Sequence, residues 1–395
     1  MKDSYIQQRG DKLLFAIAIV VLVILLFRVG MNARIQTPIP NIVFTHWWDD
    51  YLEENTLAEL VRKFEELHPG VNIILRAKPY DEIRLDLFHP KLTTVPGDIF
   101  ALDPLWVPEL YKWGVIQNPS PTLLSFINVL YYNIEILREA GFIRPPKTRT
   151  EFINYLRAIP GQGLILDGSS ARGIYDDIFP WIWAAGAGLI RNGQVMISSA
   201  PVVESLSFFA ALNNEGLIAE GSLPPDAGNK LEGFVSGRAA FMVAPAKNIA
   251  FVRERMGDEA FSITSIPIPD NFMGRTFFGA AGWAVGIHNA SLYKEEARLF
   301  VEFLISNASV LSEKSRAIPG YGLFVSSQDP FYSKVWEIAN AAEAAGDFDF
   351  AGLPWTVLEA AFREELTALF HGNASPAETA AAIQRRWTEA LQSPF

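Results

Sequence analysis

The sequence predicts an α/β protein of two lobes with a cleft between them, preceded by an N-terminal transmembrane helix. Three observations carry this reading. The chain has 395 residues, more than one hydrophobic core serves well and a comfortable length for two. From residue 41 onward strand-like and helix-like stretches alternate, the pattern of a sheet that is at least partly parallel and covered by helices. Residues 13 to 27, LLFAIAIVVLVILLF, form an unbroken apolar run.

Composition excludes several classes. Hydrophobic residues make up 50% and charged residues 19% of the chain, so it is globular. A formal charge of −11 argues against nucleic acid as a partner, because phosphate binding needs clustered Lys and Arg. There are no cysteines, hence no disulfide, thiolate metal site or cysteine nucleophile. The five histidines, His46, His68, His89, His288 and His371, show no metal-ligand spacing. No G-x-S-x-G elbow occurs. The neighbouring acids Asp49-Asp50 and Asp176-Asp177 are not the opposed pair that glycoside hydrolysis uses. Nothing in these features asks for catalysis, a cofactor or a metal.

Taken in order, residues 1–12 are a polar tail expected in the cytoplasm. Residues 13–31 are expected to span the membrane as an uncleaved signal-anchor, since a span needs about 17 to 20 apolar residues. The alternative is a cleaved secretory signal, but Arg28-Val29-Gly30-Met31-Asn32-Ala33-Arg34 fits a peptidase site poorly. Arg28 and Arg34 flank the far side as well, so charge bias does not set the orientation. Residues 32–40, with Pro38 and Pro40, read as a linker.

Asn41–Thr45 reads as a strand running into His46-Trp47-Trp48-Asp49-Asp50. Leu57, Leu60, Val61, Phe64 and Leu67 then share one helical face, with Thr56 and Glu59 as a capping box. Pro69-Gly70 stops that helix and Val71–Leu75 is the next strand, completing a βαβ unit. Gly97–Asp103 is a buried strand with an acid at its carboxyl end, followed by a helix bearing Trp106, Leu110 and Trp113. Val129, Leu130 and Tyr131 form a strand, Ile134–Leu137 a short helix, and Gly141 a residue suited to positive φ at its end. Pro145-Pro146 block continuation, and Thr148 with Glu151 caps the next helix. Later helices are expected over Pro201–Asn213, Tyr293–Ile305, Phe331–Ala345, Trp355–Phe370 and Ser375–Leu391, the last with Ser375 and Glu378 as a capping box. The run Gly279–Ile287 lacks phosphate-loop spacing and reads as a crossing between lobes.

The residues Leu130-Tyr131-Tyr132-Asn133, Glu139-Ala140-Gly141, Pro145-Pro146-Lys147-Thr148 and Glu151-Phe152 resemble the crossover segment of family 1 extracellular solute-binding proteins, the maltose-binding-like receptors of ABC importers. The start of the folded part, with Trp47-Trp48-Asp49 and then Phe64-Glu65 and His68-Pro69-Gly70, is similar to the amino-terminal start of that family. Leu231, Phe234 and Gly237-Arg238-Ala239-Ala240 resemble its turn into a second-lobe strand.

That resemblance implies a periplasmic-binding-protein-like fold of type II. Residues 41–126 and 277–320 would form the first lobe, and residues 127–276 and 321–395 the second. It implies a monomeric receptor whose lobes lie outside the cytoplasmic membrane, in the periplasm or on the cell surface. Such a receptor captures a carbohydrate in the cleft and delivers it to the membrane subunits of an ABC permease. Ligand contacts from both lobes would favour the closed state. The family's lipidated cysteine is missing, and Pro245-Ala246-Lys247-Asn248 stands where relatives often place a tryptophan. A non-sugar ligand, such as a polyamine or a phosphorylated polyol, is the alternative. Lys247 with Arg238 or Arg275 would answer an anion, and Asp49 and Asp103 a cation. An anchored glycoside-acting enzyme is the rival from another class.

The candidate ligand-binding residues lie at strand ends, where open α/β sheets take their ligands. They are Trp47, Trp48, Asp49, Asp103, Trp181, Lys247, Asn248, Trp283, Tyr321 and Trp355. Aromatic faces stack on sugar rings, while acids, amides and amines take the hydroxyls. Trp106 and Trp113, spaced along one helix, read as packing residues. Trp355 follows Pro354 at a helix start, a place from which a side chain reaches a cleft.

Overall fold

The computed structural model describes residues 19–22, 39–89, 97–117, 122–167, 173–191, 193–223, 228–271, 282–319, 329–341 and 355–392. The chain divides into two units at Pro40. In the first unit Ile19, Val20, Val21 and Leu22 are helical and exposed. The rest of the expected 13–31 span lies outside the described residues. Among those residues no helix is long and apolar enough to cross a membrane.

The second unit, Asn41–Phe395, is built on two main sheets. The strands are β1 (Asn41–His46), β2 (Asn72–Ala77), β3 (Ile99–Leu102), β4 (Thr122–Ser125), β5 (Asn128–Asn133), β6 (Leu164–Ile165), β7 (Ile190–Arg191), β8 (Gln194–Val195), β9 (Phe241–Pro245), β10 (Phe261–Thr264), β11 (Gly282–Ile287) and β12 (Ile318–Pro319). The first sheet runs β12-β4-β11-β3-β1-β2 and the second β10-β5-β9-β6, with β7 and β8 as a separate pair. The chain thus leaves the first sheet after Ser125, enters the second at Asn128, returns by Gly282 and adds a last first-sheet strand at Ile318–Pro319. This is the α/β architecture of two lobes that the sequence predicts.

In the first lobe β1 pairs in parallel with β2 and with β3. A parallel pair needs a long crossover, and the Thr56–Leu67 helix between β1 and β2 supplies it. Its buried residues, Thr56, Leu57, Leu60, Val61 and Phe64, recur at helical spacing. Leu67, expected on the same face, is exposed because it is the last residue before the stop. The expected capping box is not made. Asn55, at φ 67°, precedes the helix without a side-chain cap, and the Thr56 hydroxyl donates to the Glu53 carbonyl instead. By contrast Thr148 Oγ1 does accept from the Glu151 amide, while the Glu151 carboxylate turns to Lys147 N and Arg144. Ser375 and Glu378 form the full reciprocal box.

The second sheet is covered on both faces, and its strands show why. Leu130, Phe241 and Val243 belong to the cluster with Phe152, Trp181, Phe208 and Trp387. Their neighbours Val129, Tyr131, Met242 and Ala244 belong to the opposite cluster with Phe234, Phe331 and Tyr332. Successive strand side chains point to opposite faces, so a strand buried on both sides reads as a continuous apolar run. The Trp355–Phe370 and Pro376–Gln392 helices pack into the first of these clusters through Leu358, Phe362, Leu366, Ile383 and Trp387.

Gly282 is a glycine that strand pairing itself requires. A Cβ there would lie 2.4 Å from the Leu124 carbonyl, so β11 needs glycine to pair closely with β4, and no ligand is required to explain it. Gly279, Ala280 and Ala281 lie outside the described residues.

Candidate functional site

The carboxyl ends of β1 and β3 and the start of β11 meet at one end of the first sheet. β1 delivers Thr45 and His46 in extended backbone, and Trp48–Tyr51 then forms a single 3-10 turn. That turn folds Trp48 inward. Its ring stacks on Trp283 at 4.6 Å between centroids and 11° between planes. Phe126 meets the other side of this pair edge-on to Trp283 at 5.3 Å. Trp48 and Trp283 are fully buried, so neither offers a free face; both are corrected from ligand platform to floor of the site. The cause is packing: the turn after β1 and the start of β11 bring the two rings face to face, where stacking covers more apolar area than facing water.

Trp47 packs edge-on to Tyr80 at 5.0 Å and against Trp106 at 5.7 Å and is buried. Asp103 is buried too. It accepts the Tyr80 hydroxyl at 2.8 Å and the Leu105 amide at 3.0 Å, which makes it an organiser of the loop after β3. Asp49 is the exposed acid of the group, its side chain 60% accessible and 3.9 Å from His46 Nδ1. Burial lowers the His46 pKa, with Asp49 pulling the other way, so the ring is neutral at pH 7. Neither ring nitrogen has a hydrogen-bond partner.

The second lobe answers with the end of β9. Pro245 closes the strand, and Ala246–Asn248 is one 3-10 turn. Lys247 leaves that turn half-buried and sets its Nζ 3.6 Å from the centroid of the Tyr51 ring and 5.5 Å from that of Phe126. An ammonium over an aromatic face is attracted by the ring quadrupole, so this contact joins the lobes. Asn248 is largely buried. Beside it Asn128, opposite Pro245 in the β5–β9 ladder, is buried with neither amide atom hydrogen-bonded among the described residues. Unpaired buried polar atoms are costly, and these two are ready to accept from and donate to hydroxyl groups.

Trp181 does not join this set. It lies in the Gly173–Ala184 helix, where Ile178, Phe179, Trp181, Ile182 and Trp183 are all buried. A helix apolar all round is enclosed on every side. Phe152 at 5.0 Å and Phe208 at 5.0 Å flank the Trp181 ring, which makes it core. Arg238 is exposed just before β9, whereas Lys247 follows its far end, so the two do not converge on one anion. Trp355 begins its helix as expected, but its side chain, Tyr321 and Arg275 lie outside what is described.

Sequence reading missed Tyr51, Tyr80, Asn128, Arg84 and Glu359. Tyr51 was within reach, three residues after Trp48 on the same turn. Arg84 and Glu359 were not. Arg84 Nη2 donates to Glu359 Oε2 at 3.1 Å across 275 positions of sequence, and the pair ties the Tyr80–Phe88 helix of the first lobe to the Trp355–Phe370 helix of the second. Leu105, at the end of the first sheet, packs with the second-lobe core.

The arrangement offers an amine, an amide, an acid and aromatic edges around a junction between lobes. No group of His, Cys, Asp or Glu among the described residues is placed to hold a metal ion. A small hollow of about 180 Å³ lined by Gly97, Asp98, His288 and Ser291 lies at the opposite ends of β3 and β11. Its Asp98 carboxylate is already taken up by Val43 N and Ser291 Oγ.

The fold matches solved structures closely in shape and distantly in sequence. One is the GacH receptor of Streptomyces glaucescens, described unliganded and with acarbose, at a TM-score of 0.74 and 18% identity over 90% of this chain and 99% of that one. UgpB from Mycobacterium tuberculosis in complex with glycerophosphocholine gives 0.74 and 16% over 89% and 98%. The sugar-binding protein MalE of Xanthomonas citri gives 0.70 and 16% over 89% and 97%. A probable ABC transporter-binding protein of Deinococcus radiodurans is 22% identical over 238 residues, or 55% of this chain. The match spans 56% of that relative's length. The family model for the bacterial extracellular solute-binding protein matches residues 49–310. The chain belongs to the family of bacterial extracellular solute-binding proteins.

Proposed function

We propose that this protein is an extracytoplasmic receptor that captures a carbohydrate between its lobes and delivers it to an ABC permease. The observation that carries the reading is the junction itself. Tyr51 and the Trp48–Trp283 floor from one lobe meet Lys247 and the buried Asn128 from the other. The amine and amide of this set take the hydroxyls of a polyhydroxylated molecule by hydrogen bonding. The names of the structural relatives, which include receptors crystallised with acarbose and with maltose, support the same class. In this reading Asp49, Tyr51, Asn128, Lys247 and Asn248 touch the ligand, Trp355 stacks on it from the second lobe, and Tyr321 joins them. Trp47, Trp48, Trp283 and Asp103 hold the site's shape. The chain acts by closure around its ligand, not by bond-making.

Residues 13–31 are proposed to remain as an anchor that keeps the lobes at the outer face of the cytoplasmic membrane. The support is the apolar run without a cleavage signal. A native amino terminus starting between Ala33 and Asn41 would show instead that the segment is removed.

Lys247 in the junction also favours a second reading, a phosphorylated polyol; one structural relative is described in complex with glycerophosphocholine. Thermal-shift screening of the protein against sugars, polyols and phosphorylated polyols separates the two. A binder raises apparent stability by mass action, and the carbohydrate reading requires the shift to come from a sugar without phosphate.

A further inference from the structure

Arg84 and Glu359 lie outside the ligand set, yet they join the lobes directly. We infer that this pair is a built-in latch, which sets the balance between open and closed lobes before any ligand acts. Glu359 is almost fully covered, its side chain 7% accessible, and Arg84 is 24% accessible. A carboxylate so covered is stable as an ion only with a counter-charge, and Arg84 supplies one from the other lobe at 3.1 Å. The two ends are not equivalent. Arg84 also feels Glu109 of its own lobe, whose pKa burial raises and Arg84 lowers. When the lobes part, Arg84 keeps Glu109 nearby and gives up its bond to Glu359.

Two further contacts make closure a property of the chain. Lys247 covers Tyr51 across the junction, and Leu105 of the first lobe packs with second-lobe apolar residues. Both are weakly sensitive to salt. Arg84 is the more exposed end of its pair with Glu359, so salt loosens this contact in part, and more than it loosens the apolar one. Ligand affinity follows, because a receptor binds in proportion to the fraction already able to close. The inference rests on the two-lobed fold and not on which ligand is bound, so it can fail while the receptor reading stands.

The chain has no cysteine, which makes the test direct. Spin labels on Lys63→Cys in the first lobe and Glu139→Cys in the second, both exposed, report the inter-lobe distance of the full-length protein by pulsed electron resonance. The probe is sodium chloride alone, without ligand. Glu359→Gln is expected to shift the closed-to-open ratio toward open by about fivefold, the scale of a partly exposed ion pair. Raising salt should loosen the parent more than it loosens Glu359→Gln. The swap of Arg84→Glu with Glu359→Arg should restore the closed population, which a mere packing defect would not. Distance distributions that ignore both Glu359→Gln and salt overturn the latch. So does a swap that stays as open as the single variant while melting normally.

Discussion

The two sides of the cleft use their side chains in opposite ways. The first lobe brings the aromatic surface, Trp47, Trp48, Trp283 and Phe126, and spends it on packing. The second brings Lys247, Asn128 and Glu359, which face the junction or the opposing lobe. The tryptophans that look most like a sugar platform in sequence are thus buried against one another. The difference teaches that a tryptophan at a strand end is not by itself a ligand contact. Its neighbours on adjoining strands decide.

Trp283→Ala breaks the comparison most severely. Truncating a buried aromatic costs about 3–5 kcal/mol, here by leaving Trp48 and Phe126 without their shared partner. Denaturant titration should show that loss in stability. An unchanged midpoint would make Trp283 a free face and return it to the ligand set. Trp181→Ala should behave alike in the second lobe, since its ring is flanked by Phe152 and Phe208.

The hinge side offers a pH test of the next size. Asp329 accepts from Arg253, Arg316 and the Phe331 amide. Burial alone would raise its pKa, but these partners prevail and hold it at about 2, against an ordinary 3.8. A depressed carboxylate adds stability that is present above its unfolded value and lost as pH falls through its folded one. Stability from this group should therefore decline between pH 3.8 and about 2. Asp329→Asn should cost about 1–2 kcal/mol at pH 7, the scale of charge-assisted hydrogen bonds, and flatten that decline. Acid unfolding curves that superimpose for parent and variant would show that these bonds to Asp329 add no stability.

How much was legible beforehand divides along the same line. Local chemistry could be read: the βαβ start, the Thr148 and Ser375 caps, and Gly141 at φ 84° each depend on residues a few positions apart. The Thr56 cap was misread because Asn55 in left-handed backbone had already set the helix entry. Trp181 was misread because its helix is apolar all round, and only the neighbouring Phe152 and Phe208 show which way it packs. Arg84–Glu359 carried no sequence signal, since nothing local marks an ion pair between lobes.

Smaller effects sharpen the polar side. Lys247→Ala should weaken ligand binding at least tenfold, about 1.4 kcal/mol, with little change in melting temperature, because the side chain is only half-buried. Trp355→Ala should show the same split between binding and stability. A variant that binds normally but melts much lower is a core residue and not a contact. Asp49→Asn should alter stability by less than about 0.5 kcal/mol, its side chain being 60% accessible, so any larger change in binding would report contact with the ligand.

Calorimetric titration of the full-length protein with a panel of oligosaccharides, repeated on Lys247→Ala, tests the central claim most directly. The account predicts one-to-one binding of at least one unphosphorylated sugar, weakened at least tenfold in the variant. Binding confined to phosphorylated polyols or polyamines, or heat from steady sugar turnover instead of saturation, would contradict it.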